Sequence, residues 1–320
     1  MDYDAIRQQL ETACADFQSP AKQAAAEKVL IEFKRTPNIL PACRYILEHT
    51  TTPLVQFHTA LAIREALVRE YALLSKQDVQ DVRDYLLRLC CERNSVERFV
   101  REQLLHVYAV ILKRSWMDLD ASERDRVFAQ TEDLLQATGH HRLVALALYN
   151  AVLDEFSSSK ASRIGLTLHY HQECRVSFTE DHLLRVFQSI LRVIHQEIQG
   201  RQVNDALRYG TLLLEKVFSW DFTQRRRFTL SRDSAVSEQE IAGETPDFPL
   251  SWRDTLLDPA VLSFFFEAYD VLRHDENTAH RARQCLVQLS GIHGAVIDSD
   301  ATALNYASVM MRGYEKLIAM

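Results

Sequence analysis

Glycine is the scarce residue in this chain, with only eight in 320 positions. An average protein carries it at about 7%. Hairpin turns and close backbone approaches to phosphate both consume glycine, because they need positive φ or the absence of a Cβ. Eight glycines cannot furnish the turns of a large sheet or the loops of a nucleotide-binding α/β fold. An all-α fold remains, and 47% hydrophobic residues give it ample core.

A 3.6-residue apolar period predicts helices over 2–17, 20–35, 39–49, 53–71, 76–93, 96–114, 121–137 and 140–156. Ser19-Pro20 and Thr52-Pro53 each place a capping residue before a proline at the first helical position. Asp120 with Ser122 and Asn94-Ser95 mark two further starts, and Gly139 marks a stop. Second helices of successive pairs begin near 20, 53, 96 and 140, at spacings of about 33, 43 and 44 residues, close to the ~40–47 of HEAT repeats. The expected architecture is a right-handed α-solenoid of HEAT-type antiparallel helix pairs. In the helix at 53–71, Phe57, Leu61, Leu67 and Val68 crowd one side and Ile63 and Ala66 the other. Such a helix is expected to be buried on several sides.

Beyond 156 the expected helices are 166–178, 181–199, 202–219, 258–274, 277–291 and 300–318. The division this suggests is a first set of repeats over 1–156, further helices over 157–222 after a Ser-rich linker, a charged insertion at 223–251, and helices over 252–320. The last helix has no partner, leaving Leu304, Val309, Met310 and Leu317 without a following layer. The expectation is the front part of a longer, truncated array.

The charge sum, 37 basic against 44 acidic residues, gives -7 and disfavours direct nucleic-acid binding. MDYDAIRQQL lacks the apolar region of a secretory signal. The longest nearly apolar run, 143–153, is about half a membrane span. Neither a membrane nor a nucleic acid is an expected partner. Six cysteines without regular spacing read as reduced core residues of a cytosolic or nuclear protein.

No GxxxxGK[ST], GxGxxG, GxSxG or HExxH occurs. His169, His171 and Cys174 resemble a metal cluster, yet on a helix His169 and His171 point about 200° apart. Cys90-Cys91 reads as core filling and Arg225–Arg227 as a solvated loop cluster. Arg64, amid apolar neighbours, reads as a buried arginine paired with a carboxylate or helix carbonyls. No enzyme activity, catalytic residue, metal or cofactor is expected.

The stretches AEKVLIEFKRTP (26–37), CRYILEHT (43–50) and FHTALAIREALVREYALL (57–74) resemble the N-terminal domain of the importin-β superfamily. VREQLLHVYAVILKRSWMDLD (100–120), LDEFSSSKASRIGL (153–166), SWDF (219–222), SWRDTLLDPAVLSFFF (251–266) and QCLVQLSGIHG (284–294) are similar, in order, to stretches of its exportin-4 family. The resemblance implies a nuclear transport receptor, shuttling between nucleus and cytoplasm, that binds Ran in its GTP form through the repeats of 1–156. It implies contacts with nuclear pore proteins and a protein cargo, such as the hypusine-bearing translation factor. The alternative is a HEAT-repeat scaffold organising a signalling enzyme complex.

In such an array a partner reaches the polar stripes of the second helices. The candidate Ran contacts are Lys28, Glu32 and Arg35, within about 60° of one another; His58, Glu65 and Arg69; and Glu102, His106 and Lys113, within about 40°. The insertion at 223–251, charged and without period, is the expected site of first attack by trypsin. Mass spectrometry should place the early cleavages near Arg225–Arg227 and leave both flanks folded; first cuts within 53–156 would contradict the repeat reading.

Overall fold

In a computed structural model, residues 2–157, 165–222 and 248–319 are described, and among them the only regular structure is helical. None of these helices is long and apolar enough to cross a membrane. The insertion expected at 223–251 lies, for 223–247, outside the described residues. The chain forms two compact units. One takes in the described residues of 1–125 with those of 158–171, and the other those of 126–157 with 172–320.

The first unit is built from α1 (Tyr3–Asp16), α2 (Gln23–Arg35), α3 (Leu40–His49), α4 (Pro53–Glu70), α5 (Lys76–Glu92) and α6 (Arg98–Ser115). They pack as pairs α1/α2, α3/α4 and α5/α6, with α2, α4 and α6 in successive contact, the stacking expected of HEAT-type repeats. Local signals set most starts. Asp2 accepts the N–H groups of Asp4 and Ala5, Pro53 opens α4, and Ser75 with Asp78 forms a capping box on α5. Two starts differ from expectation. Ser19 does not cap α2; its carbonyl accepts from Lys22 and Gln23 instead, so turns run through Pro20 and the helix begins at Gln23. Asn94-Ser95 likewise precedes a turn, and α6 begins at Arg98 with Val96 buried outside it.

Small residues let α4 sit close to its neighbours. Ala60, Ala62 and Ala66 are fully buried with Val55, Ile63 and Leu67. The polar groups on this buried arc are satisfied: Thr59 donates to the Val55 carbonyl at 2.7 Å and Gln56 to that of Thr50 at 3.1 Å. Phe57, Leu61 and Val68, expected to be core, are only half-buried. The helix is therefore closed on most of its circumference and open along one arc.

The second unit contains most of α7 (Ala121–Gln136), then α8 (His140–Ser157), the end of α9 (Leu168–Asp181), α10 (Leu183–Ile198), α11 (Asp205–Phe218), α12 (Pro259–Leu272), α13 (Glu276–Ser290) and α14 (Asp300–Ile318). Gly139, at φ 66°, makes the left-handed turn between α7 and α8 that the sequence marks. Helices α8, α11 and α13 contact in succession, as do α10, α12 and α14. Ion pairs lace the first set: Lys216 with Asp154, Arg281 with Glu215 at 3.1 Å, and Arg208 with Asp275 at 2.9 Å. Buried Arg142 donates to the Leu135 and Ala137 carbonyls at the end of α7 and pairs with Glu197 of α10.

Trp220 and Trp252, of the SWDF and SWRD stretches, are core. Trp252 packs against Phe187, Phe222 and Phe248, and the rings of Phe222 and Phe248, the latter within the expected insertion and buried, lie 4.8 Å apart. Val309 and Met310 of α14 are buried in its packing with the preceding α12, while Leu304, Met311 and Ile318 are exposed. Cys43, Cys90 and Cys285 are buried, and burial pushes even the half-buried Cys91 thiol up to about 11, as core filling requires. His171 is buried and His169 exposed, the opposed directions that their spacing dictates.

Gly313 sets the α12–α14 crossing. A Cβ built there would meet the buried Phe266 ring at 2.2 Å, and that ring is held edge-on against Tyr314. Gly313→Ala should therefore destabilise the second unit by about 1–3 kcal/mol through overpacking, whereas Gly200→Ala, with only ordinary contact at 3.5 Å, should not. Urea titrations of both variants check this; equal midpoints would refute the close crossing.

Candidate protein interface on the second helices of the first unit

The exposed arcs of α2, α4 and α6 carry the residues that sequence spacing groups into stripes. On α2, Lys28, Glu32 and Arg35 are exposed, opposite buried Ala26, Leu30 and Phe33. Lys28 lies 3.8 Å from Glu32 on the next turn. On α4, His58 and Glu65 are half-buried and Arg69 is exposed.

The residue joining these helices is Lys34, which the stripe assignment omits. Its ammonium lies 3.9 Å from Glu65, and its carbonyl accepts from Arg69 at 3.2 Å. Arg69 also donates to the Thr36 carbonyl at 3.0 Å and to Glu70 at 2.7 Å. Burial first, and the Lys34 charge second, push His58 below its ordinary range, so it is neutral at pH 7. The polar edge of α4 is thus stitched to the end of α2.

On α6, Glu102 and His106 are half-buried, and Arg98 donates to Glu102 at 2.8 Å. Lys113 does not belong to an accessible stripe. It lies at the expected helical angle but is fully buried. The cause is tertiary: the start of α9 returns over the last turn of α6, where the Tyr170 hydroxyl meets the Lys113 and Arg114 carbonyls at 3.1 and 2.7 Å. Gly165 in the same segment approaches Val68 of α4. The accessible part of this face ends before that turn.

The structure adds residues that the stripes leave out. Leu54 is 37% and Phe99 44% exposed. The Phe57 and Phe99 rings are 5.8 Å apart, joining α4 to α6 at the surface. Leu61 and Arg64 lie half-buried on the same side of α4. Arg64 is therefore not the buried arginine that its neighbours suggest; it is half-buried, as are Phe57, Leu61 and Val68 on the same side. The signal was present in the 3–4–3–4 spacing of Leu54, Phe57, Leu61, Arg64 and Val68. A face with a charged edge and an apolar strip can hold a protein surface; it presents no nucleophile activated by a neighbouring base. Among the described residues, no cluster of three metal-ligating side chains forms.

Comparison with known proteins fits a binding surface of this kind. Exportin-4 of Dictyostelium discoideum is 23% identical over 97% of this chain and 30% of its own length. Exportin-7-B of Xenopus laevis is 22% identical over 97% of the chain and 28% of its own length. Ran-binding protein 17 of Homo sapiens is 23% identical over 92% of the chain and 26% of its own length. The chain thus spans under a third of the length of these relatives. The family model described as Exportin-4 matches residues 1–320, and the chain belongs to the exportin-4 family.

Proposed function

We propose that this chain is the Ran-binding portion of a nuclear export receptor, engaging the GTP form of Ran through the open face of α2, α4 and α6. The observation carrying this reading is that face: three consecutive second helices present one band of Lys28, Glu32, Arg35, Glu65, Arg69 and Glu102, continuous with an apolar strip. Family membership and a relative named for Ran binding support the partner.

The receptor contributes binding energy, and GTP hydrolysis takes place on Ran. Cargo, of which the hypusine-bearing translation factor is one candidate, binds together with Ran. The coupling between them is reciprocal: each ligand favours the conformation of the array that the other prefers. Contacts with nuclear pore proteins and shuttling between nucleus and cytoplasm complete the proposal.

Immobilised Ran loaded with a non-hydrolysable GTP analogue should retain the 320-residue chain, and Ran loaded with GDP should not. Equal retention would remove the proposal. Because Lys113 is buried, charge reversal belongs at Lys28 and Arg35, both exposed. The exposed Lys28–Glu32 pair contributes under ~1 kcal/mol to folding, so Lys28→Glu with Arg35→Glu should leave the melting temperature nearly unchanged. Binding to GTP-loaded Ran should weaken at least about tenfold, because interface charges govern association.

A further inference from the structure

Among the described residues, three serines or threonines stand directly before proline: Ser19-Pro20, Thr36-Pro37 and Thr52-Pro53. Only Ser19 has a basic residue three positions on, in Ser19-Pro20-Ala21-Lys22. A proline-directed kinase of that specificity reads a short accessible segment, with the proline ring after the acceptor hydroxyl and a cation at the third position. Placement separates the three residues further. The Thr36 hydroxyl donates to the Glu32 carbonyl at 3.0 Å. Thr52 leads straight into α4, and Val55, three positions on, is fully buried. Half-buried Ser19 lies in the turns between α1 and α2, where Phe17, Gln18, Pro20, Ala21 and Lys22 are all exposed. Surface turns of this kind open readily for an enzyme.

The same turns leave α2 without an anion at its start. Asp2 accepts the first N–H groups of α1, and Ser75 with Asp78 boxes the start of α5. Helix α2 begins at Gln23 with no side-chain cap and no acidic residue in its first turn. Its opening N–H groups and the positive end of its dipole are therefore unmatched by any negative side chain of that turn. Ser19 stands next to this end, because its carbonyl accepts from the Gln23 N–H at 2.9 Å. Lys22, between them in the chain, holds Asp16 at 2.9 Å. Both side chains of that pair are partly exposed, so it contributes little and the ammonium is free to turn to a stronger anion.

We propose that Ser19 is a phosphorylation site for a proline-directed kinase and that the phosphate caps α2. In the transfer, the Ser19 Oγ bonds to the γ-phosphorus of ATP and the bond from that phosphorus to the β-phosphate oxygen breaks. ADP leaves, and the hydroxyl proton passes to the catalytic base of the kinase. The product carries about -1.5 to -2 charges at pH 7 and three strong acceptor oxygens. Lys22 passes from Asp16 to this phosphate, and the N–H groups opening α2 gain the anion they lack. The inference concerns the α1–α2 turn and is independent of the partner that the α2–α4–α6 face takes.

The test incubates the folded 320-residue chain with ATP, Mg²⁺ and a cyclin-dependent kinase selective for lysine at the third position, and reads the sites by mass spectrometry. Phosphate should appear at Ser19 and not at Thr36 or Thr52. Ser19→Ala should remove that signal, and Lys22→Ala should slow its appearance several-fold, with circular dichroism establishing that both variants are folded. An unmodified Ser19 in the folded chain would overturn the inference, whether or not a free peptide of residues 13–26 is modified. Modification at the same rate in Lys22→Ala would overturn it as well. Hydrogen exchange of the phosphorylated against the unmodified chain then reads the cap. Amides of 21–27 should exchange several-fold more slowly, and phosphatase treatment should reverse the change. Unchanged or faster exchange there would overturn the capping role.

Discussion

Each second helix of the first unit packs against its own pair-mate and against the second helices beside it. For α4 those neighbours are α3, α2 and α6. Burial on that many sides is possible because α4 presents Ala60, Ala62 and Ala66 to them, each with no exposed surface. Close helix approach and an open arc are two results of one constraint. The sides in contact are mostly apolar and include three alanines, and the side that remains carries most of the helix's charged residues. Phe57, His58, Leu61, Arg64, Glu65 and Arg69 all fall there, and the candidate interface follows from that geometry. The interface is what the packing of α4 leaves over.

The helix contacts are fastened by different means in the two units. In the second, Asp154 with Lys216, Glu215 with Arg281, and Asp275 with Arg208 tie the helices together across an α8, α11, α13 series. Partly exposed pairs of this kind each add little, typically under ~1 kcal/mol, and weaken with salt. In the first unit Lys34 with Glu65 plays this part between α2 and α4, whereas the α4–α6 edge is joined by the Phe57–Phe99 contact and by Arg114 over the Tyr71 ring at 4.7 Å. Apolar surface left open on α4 and α6 is therefore continuous with the contact that holds them together. A ligand covering that strip would add to an existing junction instead of creating a separate one.

The helices were legible in the sequence because their period and their punctuation agree. Pro53, Ser75 and Gly139 act within one turn of the chain, so local chemistry sufficed to read them. Ser19 misled because a serine before proline can start a helix or a turn, and only the path taken by the Ser19 carbonyl decides which. Lys113 and Arg64 failed in opposite directions for one reason. A helical wheel gives the angle of a side chain but not what lies at that angle. Lys113 met the returning segment that carries Tyr170, 57 residues away in the chain. Arg64 met only partial cover, because the apolar residues around it are themselves half-buried. Lys34 was missed because its role arises from the α2–α4 crossing and not from the spacing within α2.

Hydrogen exchange read by mass spectrometry, with and without GTP-loaded Ran, tests the central claim most directly. The account predicts that added protection concentrates in peptides covering 27–36, 53–70 and 98–106, with little change in α5 or at the last turn of α6, which is already covered. Protection confined to the second unit, or to α1, α3 and α5, would contradict it.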